Sequence, residues 1–143
     1  MRVLFDTNIF ISYLLKSDKD KTIKTIIEAG FENKFKLLLP HDVLIELAKK
    51  LTEKKYLARH ISKEDAREFI EALTTIIEEI PIITEPIPQV CRDKKDDYLL
   101  ANAVVGEADY LVSGDDDLQV LKEIQGVKIV SPVEFISILG KKD

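Results

Sequence analysis

The regular alternation of short apolar runs with longer helical patterns is what most limits the fold of this chain. The apolar runs lie at residues 3–5, 36–39, 81–84, 110–113 and 127–130. Between them, apolar residues recur at the three- to four-residue spacing of amphipathic helices. Strands separated by helices along the whole chain predict an α/β domain with a mainly parallel sheet and right-handed crossovers.

Helix signals divide the remaining sequence into seven predicted helices. Gly30 is expected to end the second helix, and Pro86 and Pro88 keep residues 85–92 in a loop. The predicted helices cover residues 9–15, 22–28, 42–54, 62–79, 93–107, 117–123 and 132–139. With 143 residues, no internal repeat and no linker, the chain is expected to form one domain over residues 1–143.

The number of cysteines and the lengths of the apolar runs indicate the cellular compartment. The single cysteine, Cys91, has no cysteine or histidine cluster around it, which argues against an internal disulfide and a zinc site. Asp6 ends the first apolar run before a signal-peptide core could form, and no later run reaches the roughly 18 residues of a membrane span. We therefore expect a cytoplasmic protein with no membrane association.

The formal net charge of -5 argues against broad electrostatic capture of nucleic acid. A local exception stays possible, because carboxylates that converge on a metal site would leave the rest of the surface nearly neutral. One basic stretch consists of Lys49, Lys50, Lys54, Lys55 and Arg59. It either contacts RNA or keeps the surface soluble.

Acidic residues follow the predicted strands at the points where chemistry is expected. Ligands of open α/β sheets bind outside the carboxyl ends of the strands. Asp6 follows the first strand, Glu46 lies on the helix after the second, and residues 115–117 follow the strand at 110–113. Asp93, Asp96 and Asp97 open the helix before that strand. These carboxylates can therefore meet at one edge of the sheet.

Each acidic residue also has a purely structural interpretation. Asp6, Asp93 and Asp117 could each cap a helix N-terminus, and Glu46 could be solvated beside its neighbouring lysines. An angle of about 100° per residue places Asp96 within the apolar stripe of its helix and Asp97 at the margin. A core-facing carboxylate is costly unless paired, so Asp96 is our first choice as a ligand and Asp97 our second.

A cluster of carboxylates without histidine or cysteine predicts a hard-oxygen site. Such a site suits Mg²⁺ or Mn²⁺ better than zinc or copper. These cations support phosphate chemistry, because they lower the pKa of a bound water and stabilise the charge of an in-line displacement.

The sequence resembles the PIN-domain ribonucleases, and in particular the VapC-like toxins of prokaryotic toxin–antitoxin pairs. The resemblance covers nearly the whole chain and rests on four segments: Asp6-Thr7-Asn8, Glu46 within residues 43–47, residues 92–97, and residues 110–118. It implies a three-layer domain with a five-stranded parallel sheet flanked by helices. It also implies a Mg²⁺ or Mn²⁺ site, endonucleolytic cleavage of RNA, homodimerisation and an antitoxin partner.

Carried over by position, the resemblance assigns roles to eight residues. The catalytic quartet would be Asp6, Glu46, Asp96 and Asp115, and these four together with Asp97 would be the metal ligands. The supporting residues would be Asn8, Ser113, Asp97 and Asp117. Two departures stand out: Asp96 and Asp97 compete for one position, and Pro40-His41 replaces the small hydroxyl residue often found before the Glu46 helix.

Two alternative functions and one assembly hypothesis accompany this interpretation. The domain could bind RNA or a protein without cutting, or Asp6 could be the nucleophile of a phosphotransfer enzyme. The second alternative is weakened because Ser131-Pro132, rather than a lysine, follows the last strand. A homodimer could use the helix at 62–79, which is rich in apolar residues: Phe69, Ile70, Leu73, Ile76 and Ile77.

Overall fold

The computed structural model describes residues 1–16 and 21–141, so residues 17–20 and 142–143 of the expected 1–143 domain lie outside it. These residues form a six-stranded sheet in the order β3-β2-β1-β4-β6-β5. The strands are β1 (Arg2–Phe5), β2 (Lys36–Pro40), β3 (Glu78–Ile80), β4 (Tyr110–Val112), β5 (Glu123–Ile124) and β6 (Val127–Val130). All neighbours pair in parallel except β5 and β6. The predicted α/β class and mainly parallel sheet are confirmed.

Eight helices surround this sheet within the described part of the chain. They are α1 (Thr7–Leu15), α2 (Thr22–Phe31), α3 (His41–Glu53), α4 (Lys55–His60), α5 (Lys63–Ile76), α6 (Lys94–Val105), α7 (Asp116–Gln119) and α8 (Pro132–Lys141). None of the helices in residues 1–16 and 21–141 has both the length and the apolar character that a membrane span requires.

Alternating side chains on β1 build two cores, one on each face of the sheet. Val3 and Phe5 join the larger core, to which α1, α2, α3, α5 and α8 contribute. Leu4 points to the other face, where it packs in a smaller core with residues of α6 and α7. The expected three-layer arrangement of a sheet between helices follows from this period-two alternation.

The sixth strand corrects the expectation of five. Residues 117–123 were predicted to be one helix, but α7 ends at Gln119 and the chain then forms β5. A tight turn with positive φ at Gln125 (45°) and Gly126 (86°) connects β5 to β6 as an antiparallel hairpin. A strand of two residues carries too little periodicity to be seen in the sequence.

Several predicted boundaries were also wrong. The strand expected at 81–84 lies at Glu78–Ile80, because α5 ends at Ile76 and the chain enters the sheet earlier. Helix α2 continues through Gly30, where a Cβ would lie 3.3 Å from the Phe35 ring, so close packing explains this glycine better than a helix cap. Helix α4 was not predicted.

The apolar face of α5 packs within this chain. Phe69 and Leu73 are buried in the larger core, and the Phe69 ring lies 5.4 Å from that of Tyr13 and 6.1 Å from that of Phe10. Ile70, Ile76 and Ile77 are partly buried against the same core. The residues that suggested a dimer interface are therefore largely used by the monomer.

Candidate active site

Asp6 is placed at the carboxyl edge of the sheet by the pairing of β1 with β4. Its N–H donates to the Val112 carbonyl at 2.9 Å, which extends the strand contact by one residue. Its carboxylate is the N-cap of α1, with Oδ1 accepting from the Asn8 N–H at 3.2 Å. The second oxygen, Oδ2, accepts from the Ser113 hydroxyl at 2.8 Å. Asp6 is thus both a helix cap and a residue of the sheet edge.

Ser113 connects Asp6 to Asp115. Its side chain is completely buried, and its Oγ also accepts from the Asp115 N–H at 3.0 Å. Asp115 in turn caps α7, because its Oδ1 accepts from the Asp117 N–H at 2.9 Å. The cap is therefore Asp115, whereas the sequence had suggested Asp117 as a capping residue. The structure brings Ser113 and both aspartates together.

Three carboxylates at this edge can reach one point. Asp96, Asp115 and Asp117 each offer an oxygen within 4.8 Å of the others. Burial raises the pKa of Asp96 to about 6, and the nearby charges of Asp115, Asp93, Asp6 and Asp117 add to the effect. No hydrogen bond from a described residue reaches the Asp96 side chain. An oxygen-only donor set with an uncompensated carboxylate fits a hard divalent cation.

A cavity of about 600 Å³ contains most of the predicted site. It is lined by all four members of the proposed quartet, by Asn8 and by three lysines, which are Lys50, Lys94 and Lys95. Glu46 lies on the α3 wall, with its Oε1 3.5 Å from Lys50 Nζ. Asp117 is outside the lining and pairs with Arg92 at 2.7 Å. A larger cavity of about 770 Å³ beside α1, α2 and α5 contains none of the predicted site residues.

Asp97 has a different environment from Asp96. It is only 6% exposed, and its Oδ1 accepts from the backbone N–H groups of Val90 (2.9 Å) and Cys91 (2.7 Å). These hydrogen bonds hold the pKa of Asp97 below its usual value. The sequence had placed Asp97 at the margin of the apolar stripe, but it is the more buried of the pair. The structure does not bring it into the cavity lining.

Asp42 and Tyr98 were missed by the sequence analysis although both line the cavity. The Tyr98 hydroxyl donates to Asp42 Oδ2, which ties the start of α3 to α6. Burial raises the pKa of Tyr98, and so does the hydrogen bond to Asp42. The other Asp42 oxygen, Oδ1, is buried without a partner among the described residues. Asp42 had a signal, because it lies one helical turn before Glu46, whereas Tyr98 had none, because residues two apart on a helix point to different faces.

Comparison with known proteins is consistent with this geometry. The profile of the PIN domain family matches residues 2–117, a range that includes every proposed site residue. This chain belongs to the PIN domain family. PIN domains are generally nucleases. No protein with a curated description matches the sequence significantly.

Solved structures show the same PIN fold. A chain in the crystal structure of VapBC2 from Rickettsia felis, bound to a DNA fragment from their promoter, superposes with a TM-score of 0.60. The alignment covers 92% of this chain and 98% of that chain at 16% sequence identity. At this identity the similarity concerns the fold.

Burial of Asp96, together with repulsion from the neighbouring carboxylates, predicts a pH-dependent stability for this PIN domain. The Asp96 pKa is about 6 in the folded chain against an ordinary value of 3.8, so ionised Asp96 opposes folding. The penalty is absent below about pH 4 and complete above about pH 6. In chelator at pH 7, Asp96→Asn should melt roughly 3 °C higher than the natural chain, and the two should converge at pH 4. Thermal melts across this pH range measure the difference.

Asp116→Asn is the matched control, because Asp116 is exposed and lies outside the group of three carboxylates. It removes the same charge and should leave the melting temperature nearly unchanged. Equal melting of the natural chain and Asp96→Asn at pH 7 would show that the folded site holds no net repulsion at Asp96.

Asp97 should affect stability without affecting metal binding. Asp97→Ala removes the acceptor for two backbone N–H groups, one of them buried, and should cost about 2 kcal/mol of unfolding free energy. Denaturant unfolding with and without Mn²⁺ measures both properties. We expect Asp97→Ala to keep the stabilisation by Mn²⁺ and Asp96→Asn to lose most of it. If Asp97→Ala lost the stabilisation by Mn²⁺ and Asp96→Asn kept it, Asp97 rather than Asp96 would be the metal ligand.

Proposed function

We propose that this PIN domain is a divalent-metal-dependent endoribonuclease that cleaves single-stranded or structured RNA and acts as the toxin of a toxin–antitoxin pair. The main observation in support is that the Ser113 hydroxyl hydrogen-bonds to both Asp6 and Asp115. These two aspartates lie in one cavity with Asp96, at the carboxyl edge of the parallel strands. This arrangement joins acidic residues from distant parts of the chain in one cavity.

Asp96 and Asp115, two of the three carboxylates whose oxygens approach one another, would hold Mg²⁺ or Mn²⁺ together with Asp6. Glu46 lines the same cavity, whereas Asp117 is paired with Arg92 outside its lining. When bound, the cation activates a water and neutralises charge on the phosphodiester. Ser113 orients the Asp6 carboxylate by donating to Oδ2, and each carboxylate oxygen keeps a further lone pair that a cation could use. Asp96 is mostly ionised at pH 7, because its pKa of about 6 lies below that pH.

Three lysines of the cavity can contact the phosphate backbone. Lys94 and Lys95 stand at the start of α6, and Lys50 stands on the α3 wall. Their charges offset the repulsion between the acidic pocket and a polyanion. Arg92 is held by Asp117 and can serve the same purpose beside the cavity.

The proposal extends to a partner and a compartment. The fold similarity to a chain of the VapBC2 structure, which is bound to a DNA fragment from the promoter, favours an antitoxin partner for this chain. Homodimerisation rests chiefly on the resemblance to VapC-like toxins, and a cytoplasmic location rests on the single cysteine and the short apolar runs of the sequence. Light scattering of the purified chain at high concentration tests the dimer, and a monomer would contradict it.

Purified protein incubated with labelled RNA and Mg²⁺ or Mn²⁺ tests the activity. Asp6→Asn and Asp115→Asn both retain an oxygen that can cap their helices, so the fold should survive. Both should lose activity by at least about 100-fold if their charges hold the cation. Ser113→Ala should lose about 10- to 100-fold, because it removes the group that orients Asp6.

Asp116→Asn again serves as the control and should cleave like the natural chain. Cleavage that is unchanged in excess chelator would contradict a metal-dependent nuclease. RNA binding by the natural chain without any cleavage would favour the alternative of a non-catalytic RNA-binding PIN domain.

A further inference from the structure

The segment after Glu46 is the most basic part of this acidic chain. Residues 47–63 contain six Lys or Arg and a single carboxylate, Glu53, whereas the whole chain has a net charge of -5. Five of these residues form the surface that we call the α4 surface: Lys54, Lys55, Tyr56, Arg59 and His60. All five are exposed.

The cations of the α4 surface have no acidic partner in the described structure. Lys54, Lys55 and Arg59 form no ion pair with any residue in 1–16 or 21–141. Helix α4 contains no carboxylate, and the nearest acidic neighbours in sequence are Glu53 and Glu64. Like charges held together without counter-charges favour binding of an external anion.

An aromatic pair lies among these cations. Tyr56 is 64% exposed, and its ring centroid lies 4.6 Å from that of His60, one helical turn later. His60 Nδ1 lies 2.9 Å from the Tyr56 carbonyl oxygen, so a proton on Nδ1 would fix the imidazole against the helix. Lys55 and Arg59 are also four residues apart and share an adjacent strip of α4. The α4 surface therefore presents exposed aromatic rings beside positively charged side chains.

The α4 surface is continuous with the candidate active site. Glu46, Lys50 and Lys54 follow one another at four-residue intervals and therefore lie along one side of α3 and its C-terminal end. Glu46 and Lys50 line the cavity. At 1.5 Å per residue, Lys54 lies about 12 Å from Glu46 along the helix axis. An RNA strand that leaves the cavity past Lys50 would next reach α4.

We propose that the α4 surface binds the substrate RNA on one side of the cleaved bond, with Lys54, Lys55 and Arg59 on phosphates and Tyr56 stacked on an unpaired base. This inference rests on the proposed ribonuclease function and deepens it by assigning a strand path. Cations combined with an exposed ring fit a single strand, because stacking requires a base outside a duplex.

Salt-dependent binding tests the phosphate contacts. The probe is a fluorescein-labelled 15-nucleotide RNA without stable pairing, and the protein carries Asp6→Asn so that the RNA stays intact. Changing Lys54, Lys55 and Arg59 to Gln should weaken binding about tenfold or more. It should also reduce the slope of log K against log salt by about 2, since each lost single-strand contact removes about 0.7.

The matched control changes Lys34, Lys128 and Lys141 to Gln. These lysines are exposed and lie outside the cavity and the α4 surface, and the change in net charge is the same. The control should leave the slope unchanged. Equal effects of the two triple variants would overturn the proposal, because only overall charge would then matter.

Tyr56 and Glu53 provide tests that misfolding cannot imitate. Tyr56→Ala should weaken binding by about fivefold or more, whereas Tyr56→Phe keeps the ring and should bind like the parent. Glu53→Gln removes the one carboxylate of residues 47–63 and should strengthen binding. Equal binding by the Ala and Phe variants would refute stacking.

Cleavage of RNAs of different length separates this inference from the proposed function. With Asp6 restored, the α4 triple variant should raise KM for the 15-nucleotide RNA and leave kcat and trinucleotide cleavage unchanged. Absence of cleavage by the natural chain would refute the ribonuclease function itself. Normal cleavage and normal RNA binding by the triple variant would refute the strand path alone.

Discussion

The hydrogen bonds of Ser113 depend on the parallel register of β1 with β4, and the rest of the site depends on them. That register places Phe5 opposite Val112, so the next residues, Asp6 and Ser113, leave the sheet together. The buried hydroxyl donates to Asp6 and accepts from the Asp115 N–H. A neutral group with both capacities can hold two acidic residues near each other without adding charge. A shift in strand register would separate them.

Helix capping and the proposed metal binding would use the same carboxylates. Asp6 and Asp115 cap α1 and α7, and Asp96 lies in the first turn of α6. In a parallel sheet these helices all begin at the carboxyl edge, where their partial positive charge favours carboxylates. The structural and functional interpretations of Asp6 were posed as alternatives, but they are compatible, because the carboxylate that caps α1 also lines the cavity. The caps reduce the cost of assembling the acidic group and leave Asp96 as its least compensated member.

The sequence was sufficient to predict the fold class and to place Asp6, Glu46, Asp96 and Asp115 at one edge of the sheet, because both follow from periodicity and from the rule that binding sites lie at the carboxyl ends of strands. It was insufficient where contacts between residues that are distant in the sequence determine the local structure. Helical geometry alone does not reveal that residues 90–91 lie over Asp97, and those residues supply the hydrogen bonds that bury it. Similarly, Arg2 binds Glu78 and the Gly106 carbonyl, and this contact joins β3 to the sheet three residues before the predicted strand. The Tyr98–Asp42 hydrogen bond spans 56 residues and had no local signature.

The net charge of the chain does not describe how its charges are distributed over the surface. A net charge of -5 averages over a cavity in which Asp96 and Asp115 lie with Lys50 of α3, and over helix α4, which contains no carboxylate. Salt screens exposed charges beyond roughly 10 Å at 0.1 M ionic strength, so an RNA strand responds to the nearest groups. At the acidic group an RNA strand would meet repulsion that a bound cation would reverse, and at Lys54 and along α4 it would meet unpaired cations. The overall negative charge is therefore compatible with a polyanionic substrate, provided that the substrate enters along the basic side of the cavity.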